Sequence, residues 1–332
     1  MRIVYTDKHR LHATDKIERA GQPFSSEEAP ARADIILRAV QAARLGSIDA
    51  PDDHGLQPIR AIHESGFLDF LRDAYAESRT PVFADYCAPR HARRKPIGLA
   101  GFKGYYAFGG DSPIAEGTWE AAYWSAQCAL TAADRVRATG ETTYALCRPP
   151  GHHAAVDLYG GFCYLNNAAI AARSLGEKVA ILDIDYHHGN GTQEIFYADP
   201  TVLYGSIHAD PDAEYPYYWG AADEHGEGSG RGFNRNWPLP IGTDDENYLR
   251  TLDEALMAIG DYGPRYLVVS AGFDIVSGDP LGGFNITLDG LREIGRRIAA
   301  LTQRVPTLIV QEGGYLLEQL GENAVAFLSA FA

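Results

Sequence analysis

The chain has 332 residues, 45% of them hydrophobic, with 29 Lys and Arg against 44 Asp and Glu for a formal net charge of −15. The length and apolar share suffice for a sizeable core, and the acidic balance excludes nucleic acid as a partner, because phosphate binding needs clustered Lys and Arg. The four cysteines (Cys87, Cys128, Cys147 and Cys163) form no CxxC pair, which argues against a Cys-based zinc site, and a chain of this length needs no disulfide framework, so reduced thiols are expected.

Residues 2–5 read as a strand with no apolar signal-peptide core, and no uninterrupted apolar run is long enough for a bilayer. A cytoplasmic protein with no membrane partner is expected. Residues 30–44 open on a proline and repeat apolar residues at helical spacing. Residues 79–117 are rich in Pro, Gly, Arg and aromatics without periodicity, and long irregular insertions of this kind are usually functional. Residues 118–138 read as a helix with a threonine at its start and Gly140 past its end.

Strands follow at 142–147, 179–182, 202–206, 266–270 and 307–310, with helices at 164–175, 245–259 and 288–303. The strand runs are mostly continuously apolar rather than alternating, as strands covered on both faces are. Strands alternating with helices imply βαβ units. The fold expected is α/β: one three-layer α/β/α domain over residues 1–332, with a mostly parallel central sheet and an insertion at about 79–117.

In open α/β sheets ligands bind outside the carboxyl ends of the strands. After 179–182 comes Asp183-Ile184-Asp185-Tyr186-His187-His188-Gly189-Asn190. After 266–270 comes Ala271-Gly272-Phe273-Asp274. After 307–310 comes Gln311-Glu312-Gly313-Gly314-Tyr315, and Cys147-Arg148-Pro149-Pro150-Gly151-His152-His153 follows 144–146. Residues two apart on an extended chain point the same way, so Asp185 and His187 project together. Asp274 reaches them from another strand. Two carboxylates and one imidazole make an open three-ligand site of the kind catalytic zinc uses. Without a thiolate it also suits iron(II), cobalt or manganese. A lone aspartate at a strand end is more often a cap; the conjunction of two His-His pairs with Asp-x-Asp at successive strand ends points to catalysis.

Arg148 to His153, Gly161-Phe162-Cys163-Tyr164-Leu165-Asn166-Asn167-Ala168, residues 183–191, Gly272-Phe273-Asp274 with Gly278-Asp279-Pro280, and Glu312 to Tyr315 resemble the histone deacetylase family. The compact length, the insertion and Glu116-Gly117-Thr118-Trp119-Glu120 are most similar to its acetylpolyamine amidohydrolases. The resemblance implies the arginase–deacetylase fold. It implies zinc on Asp185, His187 and Asp274, tandem catalytic His152 and His153 oriented by Asp183 and Asn190, and Tyr315 as oxyanion donor. Phe162 and Tyr215 would wall a narrow tunnel, with a Gly161 carbonyl beside it. Structural potassium would sit near Asp183, Asp185, His187, Ser206 and Ile207.

The implied substrate is a small cationic acetylated amine, giving acetate and free amine. Its distal ammonium needs a carboxylate or an aromatic face, and Asp111 is the candidate carboxylate. An acidic residue of some relatives falls near Ala100, and Leu281 stands where a polyamine-selective vertebrate relative has glutamate. The insertion would support a homodimer that restricts the mouth. An acetyl-lysine deacetylase of the same mechanism is the nearest alternative. A two-metal ureohydrolase fits the tandem histidines and the tyrosine less well, and a non-catalytic binder of acetylated ligands fits them least.

Overall fold

The computed structural model describes residues 1–24, 26–88, 94–176 and 178–332. Its strands are β1 (Arg2–Val4), β2 (Glu18–Arg19), β3 (Gln22–Pro23), β4 (Ser47–Asp49), β5 (Thr143–Ala145), β6 (Val179–Asp183), β7 (Val202–Ala209), β8 (Asn234–Leu239), β9 (Tyr266–Ala271) and β10 (Thr307–Gln311). Its α-helices are α1 (Ala31–Ala42), α2 (Gln57–Arg60), α3 (Ser65–Ser78), α4 (Leu99–Tyr105), α5 (Thr118–Thr139), α6 (Asn167–Leu175), α7 (Asn190–Phe196), α8 (Asp245–Tyr262), α9 (Leu288–Thr302) and α10 (Leu317–Leu328). No helix among the described residues is long and apolar enough to cross a membrane.

Eight strands form one sheet in the order β4-β1-β5-β10-β9-β6-β7-β8. Every pairing in it is parallel. Each residue of β5, β6, β7, β9 and β10 is buried, because successive side chains point to opposite faces and both faces are covered. Val179, Ile181, Val268 and Leu308 join α3, α5 and α6 in one core. Ala180, Leu182, Leu267, Val269 and Ile309 join α1, α8, α9 and α10 in the other. Two cores on one sheet make the expected three layers.

The two edge strands β4 and β8 escape a reading by apolar runs. An edge needs only one paired side, so Ser47, Asp49, Asn234, Arg235 and Asn236 are admitted, and Pro238 sits where a missing N–H is tolerated. The helix expected at 164–175 starts at Asn167, because the Asn166 side chain accepts from the Ala169 N–H at 2.9 Å and caps it. Helix α5 is led in by Gly117 at φ +79°; the Thr118 hydroxyl instead accepts from Ala115 N–H at 2.9 Å and lies 2.9 Å from His12 Nδ1. The insertion at 79–117, whose residues 89–93 lie outside the described residues, is closed at its base by reciprocal Val82–Ile114 hydrogen bonds of 2.9 Å and contains α4.

Between β5 and β6 the chain steps across β10 and β9 and then builds outward in the opposite direction. Ligand crevices form at such reversals of strand order. The carboxyl ends of β5, β10, β9 and β6 are therefore neighbours, and the histidine loop after β5 must be held against the rest. His63, just ahead of α3, braces it: Nδ1 donates to the Ala155 carbonyl at 2.8 Å and Nε2 accepts from Asn166 N–H at 3.0 Å.

That arrangement uses the neutral ring, and burial lowers the His63 pKa from 6.5 to about 4. Above pH 6.5 the ring is neutral whether the chain is folded or unfolded. As the pH falls toward 4 only the unfolded chain takes the proton, so stability is lost across that window. We expect the group to contribute roughly 3 kcal/mol to this loss. Urea unfolding at neutral and acid pH checks it: wild type should lose more stability than His63→Gln, and equal losses would contradict the assignment.

Candidate active site

Strand β6 ends on Asp183, and the chain beyond it carries Asp185 and His187 on a bend, where an extended continuation was expected. Asp274 follows β9 by three residues. Ligand atoms of Asp185, His187 and Asp274 all lie within 4.8 Å of one another. Asp185 Oδ1 accepts from His187 N–H at 2.9 Å and Oδ2 from Gly313 N–H at 2.8 Å. Asp274 Oδ1 accepts from Tyr186 N–H at 3.1 Å, whereas its buried Oδ2 accepts no hydrogen bond and lies 3.2 Å from His187 Nδ1.

A buried carboxylate oxygen without a donor, beside a second carboxylate and an imidazole, fits a divalent cation held by Asp185, His187 and Asp274. Burial and the adjacent Asp185 charge push the Asp274 carboxyl up. Burial also opposes charge on Asp185, but the neighbouring His152 and His187 carry it well below the usual carboxylate range. A Cβ on Gly272 or Gly313 would run into these carboxylates, so both positions need glycine for the two strand ends to converge.

The tandem histidines stand 4.0 Å apart between ring centroids and have unlike partners. His152 Nδ1 lies 3.0 Å from Asp183 Oδ2, and His153 Nδ1 lies 2.7 Å from Asn190 Oδ1. Burial disfavours charge on both rings. For His152 the Asp185 and Asp183 carboxylates overcome it and raise the pKa to about 10. For His153 burial is reinforced by His152 and His187, and the pKa falls well below 6.5. Both orienting partners are the residues expected. Of the residues named for potassium, Asp183 and Ser206 are register partners on β6 and β7, and Ile207 is next in line.

A cavity of about 390 Å³ leads to this group, lined by His153, His187 and Tyr315 together with Phe162 and Tyr215. The Phe162 and Tyr315 rings are 5.8 Å apart, and Tyr215 meets His153 at 5.2 Å and His187 at 6.0 Å. Asp111 lines the same cavity. It is more than a solvated turn: its Oδ1 accepts from Gly161 N–H at 3.0 Å and from Ser112 Oγ at 2.8 Å, and Ser112 Oγ accepts from Phe162 N–H at 2.7 Å. Gly161 has φ +57°, and a Cβ there would meet the His153 ring. Ala100 lies in α4 and does not line the cavity, whereas Leu281 does.

Several residues of the site escape sequence reasoning. Glu214, beside Tyr215, gives the cavity a second carboxylate. Phe108 backs Tyr215 at 6.1 Å. Glu312 is fully buried and its Oε2 accepts from the N–H groups of Gly151 at 2.7 Å and His152 at 3.1 Å. Glu28, Arg32 and Arg148 are buried together behind the catalytic loops. The positions of Glu312 within Glu-Gly-Gly-Tyr and of Arg148 at the head of Arg-Pro-Pro-Gly-His-His were signals; the others carried none.

A histone deacetylase domain model matches residues 26–331. Acetylpolyamine amidohydrolase 1 of Pseudomonas aeruginosa is 44% identical over 343 residues, covering 100% of this chain and 99% of its own. The acetylpolyamine amidohydrolase of Burkholderia pseudomallei is 45% identical over 329 residues, covering 97% of this chain and 96% of its own. A crystal structure of acetylpolyamine aminohydrolase from Burkholderia pseudomallei superposes with a TM-score of 0.93 at 41% identity, covering 100% of this chain and 98% of that one.

The orphaned oxygen of Asp274 generates a direct expectation. Asp274→Ala should lose bound metal after dialysis while wild type retains it, read by elemental analysis on protein of intact fold. Full metal content in the variant would remove Asp274 from the ligand set.

Proposed function

We propose that this chain, which belongs to the histone deacetylase family and is a deacetylase by that membership, removes acetyl groups from acetylated polyamines with zinc held by Asp185, His187 and Asp274. The family is metal-dependent, and the donor set suits zinc because it is nitrogen and oxygen only, with an open position. When bound, the ion would supply Lewis acidity toward a water and the acetyl carbonyl.

The chain's own groups do the rest. Asn190 Oδ1 holds the Nδ1–H of His153, which leaves the Nε2 lone pair to take a proton from the attacking water. Burial among positive neighbours keeps that ring neutral before the reaction. As the C–N bond breaks, the same Nε2–H protonates the departing nitrogen, so acetate and a free amine leave. Tyr315 donates its O–H to the acetyl oxygen as negative charge grows there. Its phenol stays protonated because burial holds its pKa well above the usual range. His152, paired with Asp183, supplies fixed positive charge beside the reacting centre. Structural potassium at Asp183, the end of β6, and its register partner Ser206 within β7 belongs to the same reading.

One observation carries the substrate class. Among the described residues, the cavity that ends on the catalytic groups is lined by two carboxylates, Asp111 and Glu214, and by no lysine or arginine. An acetamide on an aliphatic chain fits between Phe162 and Tyr215, and a distal ammonium has two anions to meet. We propose further that the 79–117 insertion joins two chains in a homodimer; exposed Tyr86 and Ile97 supply apolar surface for it. A monomer in light scattering would remove that part.

Two expectations follow for turnover. Tyr315→Phe should keep its metal and lose roughly 100-fold or more in kcat, the usual cost of an oxyanion donor; unchanged turnover would sink the assignment. Asp111→Asn with Glu214→Gln should raise KM for acetylputrescine several-fold and leave a neutral N-alkylacetamide unaffected. Acetate release measured on both compounds and on an acetyl-lysine peptide checks this. A peptide preferred by wild type would overturn the polyamine reading.

A further inference from the structure

We propose that Glu28 is a positioning residue that holds the two catalytic loops in mutual register. It stands just ahead of α1, does not line the cavity, and is completely buried. Its carboxylate meets two guanidinium groups. Oε1 lies 2.8 Å from Arg148 Nε and accepts from Arg32 Nη1 at 3.2 Å, and Oε2 accepts from Arg148 Nη2 at 3.0 Å.

Each arginine belongs to a different part of the machinery. Arg148 is four residues ahead of His152, and it also donates to the His9 carbonyl at 2.6 Å and the His12 carbonyl at 2.9 Å. Arg32 donates to the carbonyls of Glu312 at 2.7 Å and Gly314 at 2.6 Å, and its guanidinium carbon lies 4.6 Å from the Tyr315 ring centroid. One carboxylate thus joins the loop of the tandem histidines to the turn that aims the phenol. Buried ion triads of this kind can often be replaced by apolar side chains without loss of stability, so stability is a weak reason for one; fixing a geometry is a better-attested reason. Here the geometry is that between His153 Nε2 and the Tyr315 hydroxyl.

The inference rests on the roles given to His153 and Tyr315 above. Its test uses the full-length, metal-loaded chain and active-site titration, so that unfolded protein is not counted. Glu28→Gln should lower kcat per active site by about 10- to 100-fold, the cost of a small misplacement, with KM for acetylputrescine little changed, since Asp111, Phe162, Glu214 and Tyr215 of the cavity wall lie on other loops. In a Tyr315→Phe background the same substitution should cost much less, because the phenol no longer needs aiming.

A merely structural role predicts the same loss in both backgrounds, and that result would overturn the proposal, as would an unchanged kcat in Glu28→Gln. Should Glu28→Gln fail to fold, Glu28→Gln with Arg148→Met restores the net charge of the cluster and should fold but turn over slowly. Wild-type kcat in that double variant, or its failure to fold, would equally overturn the positioning role. A Tyr315→Phe enzyme as fast as wild type would refute the underlying reading instead, a separate outcome.

Discussion

Two carboxylates, Asp185 and Asp274, converge in the dry interior at the ends of neighbouring strands, and the rest of the site exists to make that tolerable. Like charges so close raise each other's free energy, and burial adds a desolvation cost to each. Backbone N–H groups of His187, Gly313 and Tyr186 answer three of the four oxygens. The fourth, Asp274 Oδ2, is left for a cation. Gly272 and Gly313 are the steric condition for this convergence. The chain stores, in its folded state, an unmet demand for positive charge at one point.

The sheet makes that point reproducible. All of its pairings are parallel, so the carboxyl ends of β5, β10, β9 and β6 open on one edge. Short extensions past those ends carry ligands, histidines and phenol, and burial of both sheet faces keeps their bases rigid. The histidine loop is fastened from three sides: His63 from before α3, Glu312 from β10, and Arg148 through Glu28. Rigid elements place reactive groups more accurately than free loops do.

Within this frame two adjacent histidines acquire opposite character: Asp185 and Asp183 favour charge on His152, whereas burial and the positive neighbours His152 and His187 disfavour it on His153. A carboxylate on His152 stabilises its imidazolium; an amide on His153 offers a dipole and no net charge. The surroundings thus favour charge on one ring and neutrality on its neighbour. The cavity walls come from separate loops: Asp111 from the insertion, Glu214 and Tyr215 from the segment after β7, and Leu281 from that after β9.

The amino-acid sequence by itself determined the layered parallel fold and the placing of Asp185, His187, Asp274, the tandem histidines and Tyr315 beyond strand ends, while the partners Asp183 and Asn190 were what the family resemblance implied. Those are written locally: apolar runs mark buried strands, and the residues that follow each run lie within one or two turns of its end. Beyond that reach the signal stops. Edge strands β4 and β8 carry polar residues because one side of an edge faces no partner. Glu214 joins Asp111 at the cavity only because two unrelated loops fold over the same strand ends. Glu28 meets Arg148 across 120 positions of chain. Such meetings depend on how loops of irregular length pack, which no periodicity records, so the tertiary structure alone decided what surrounds the metal group and what its substrate must pass.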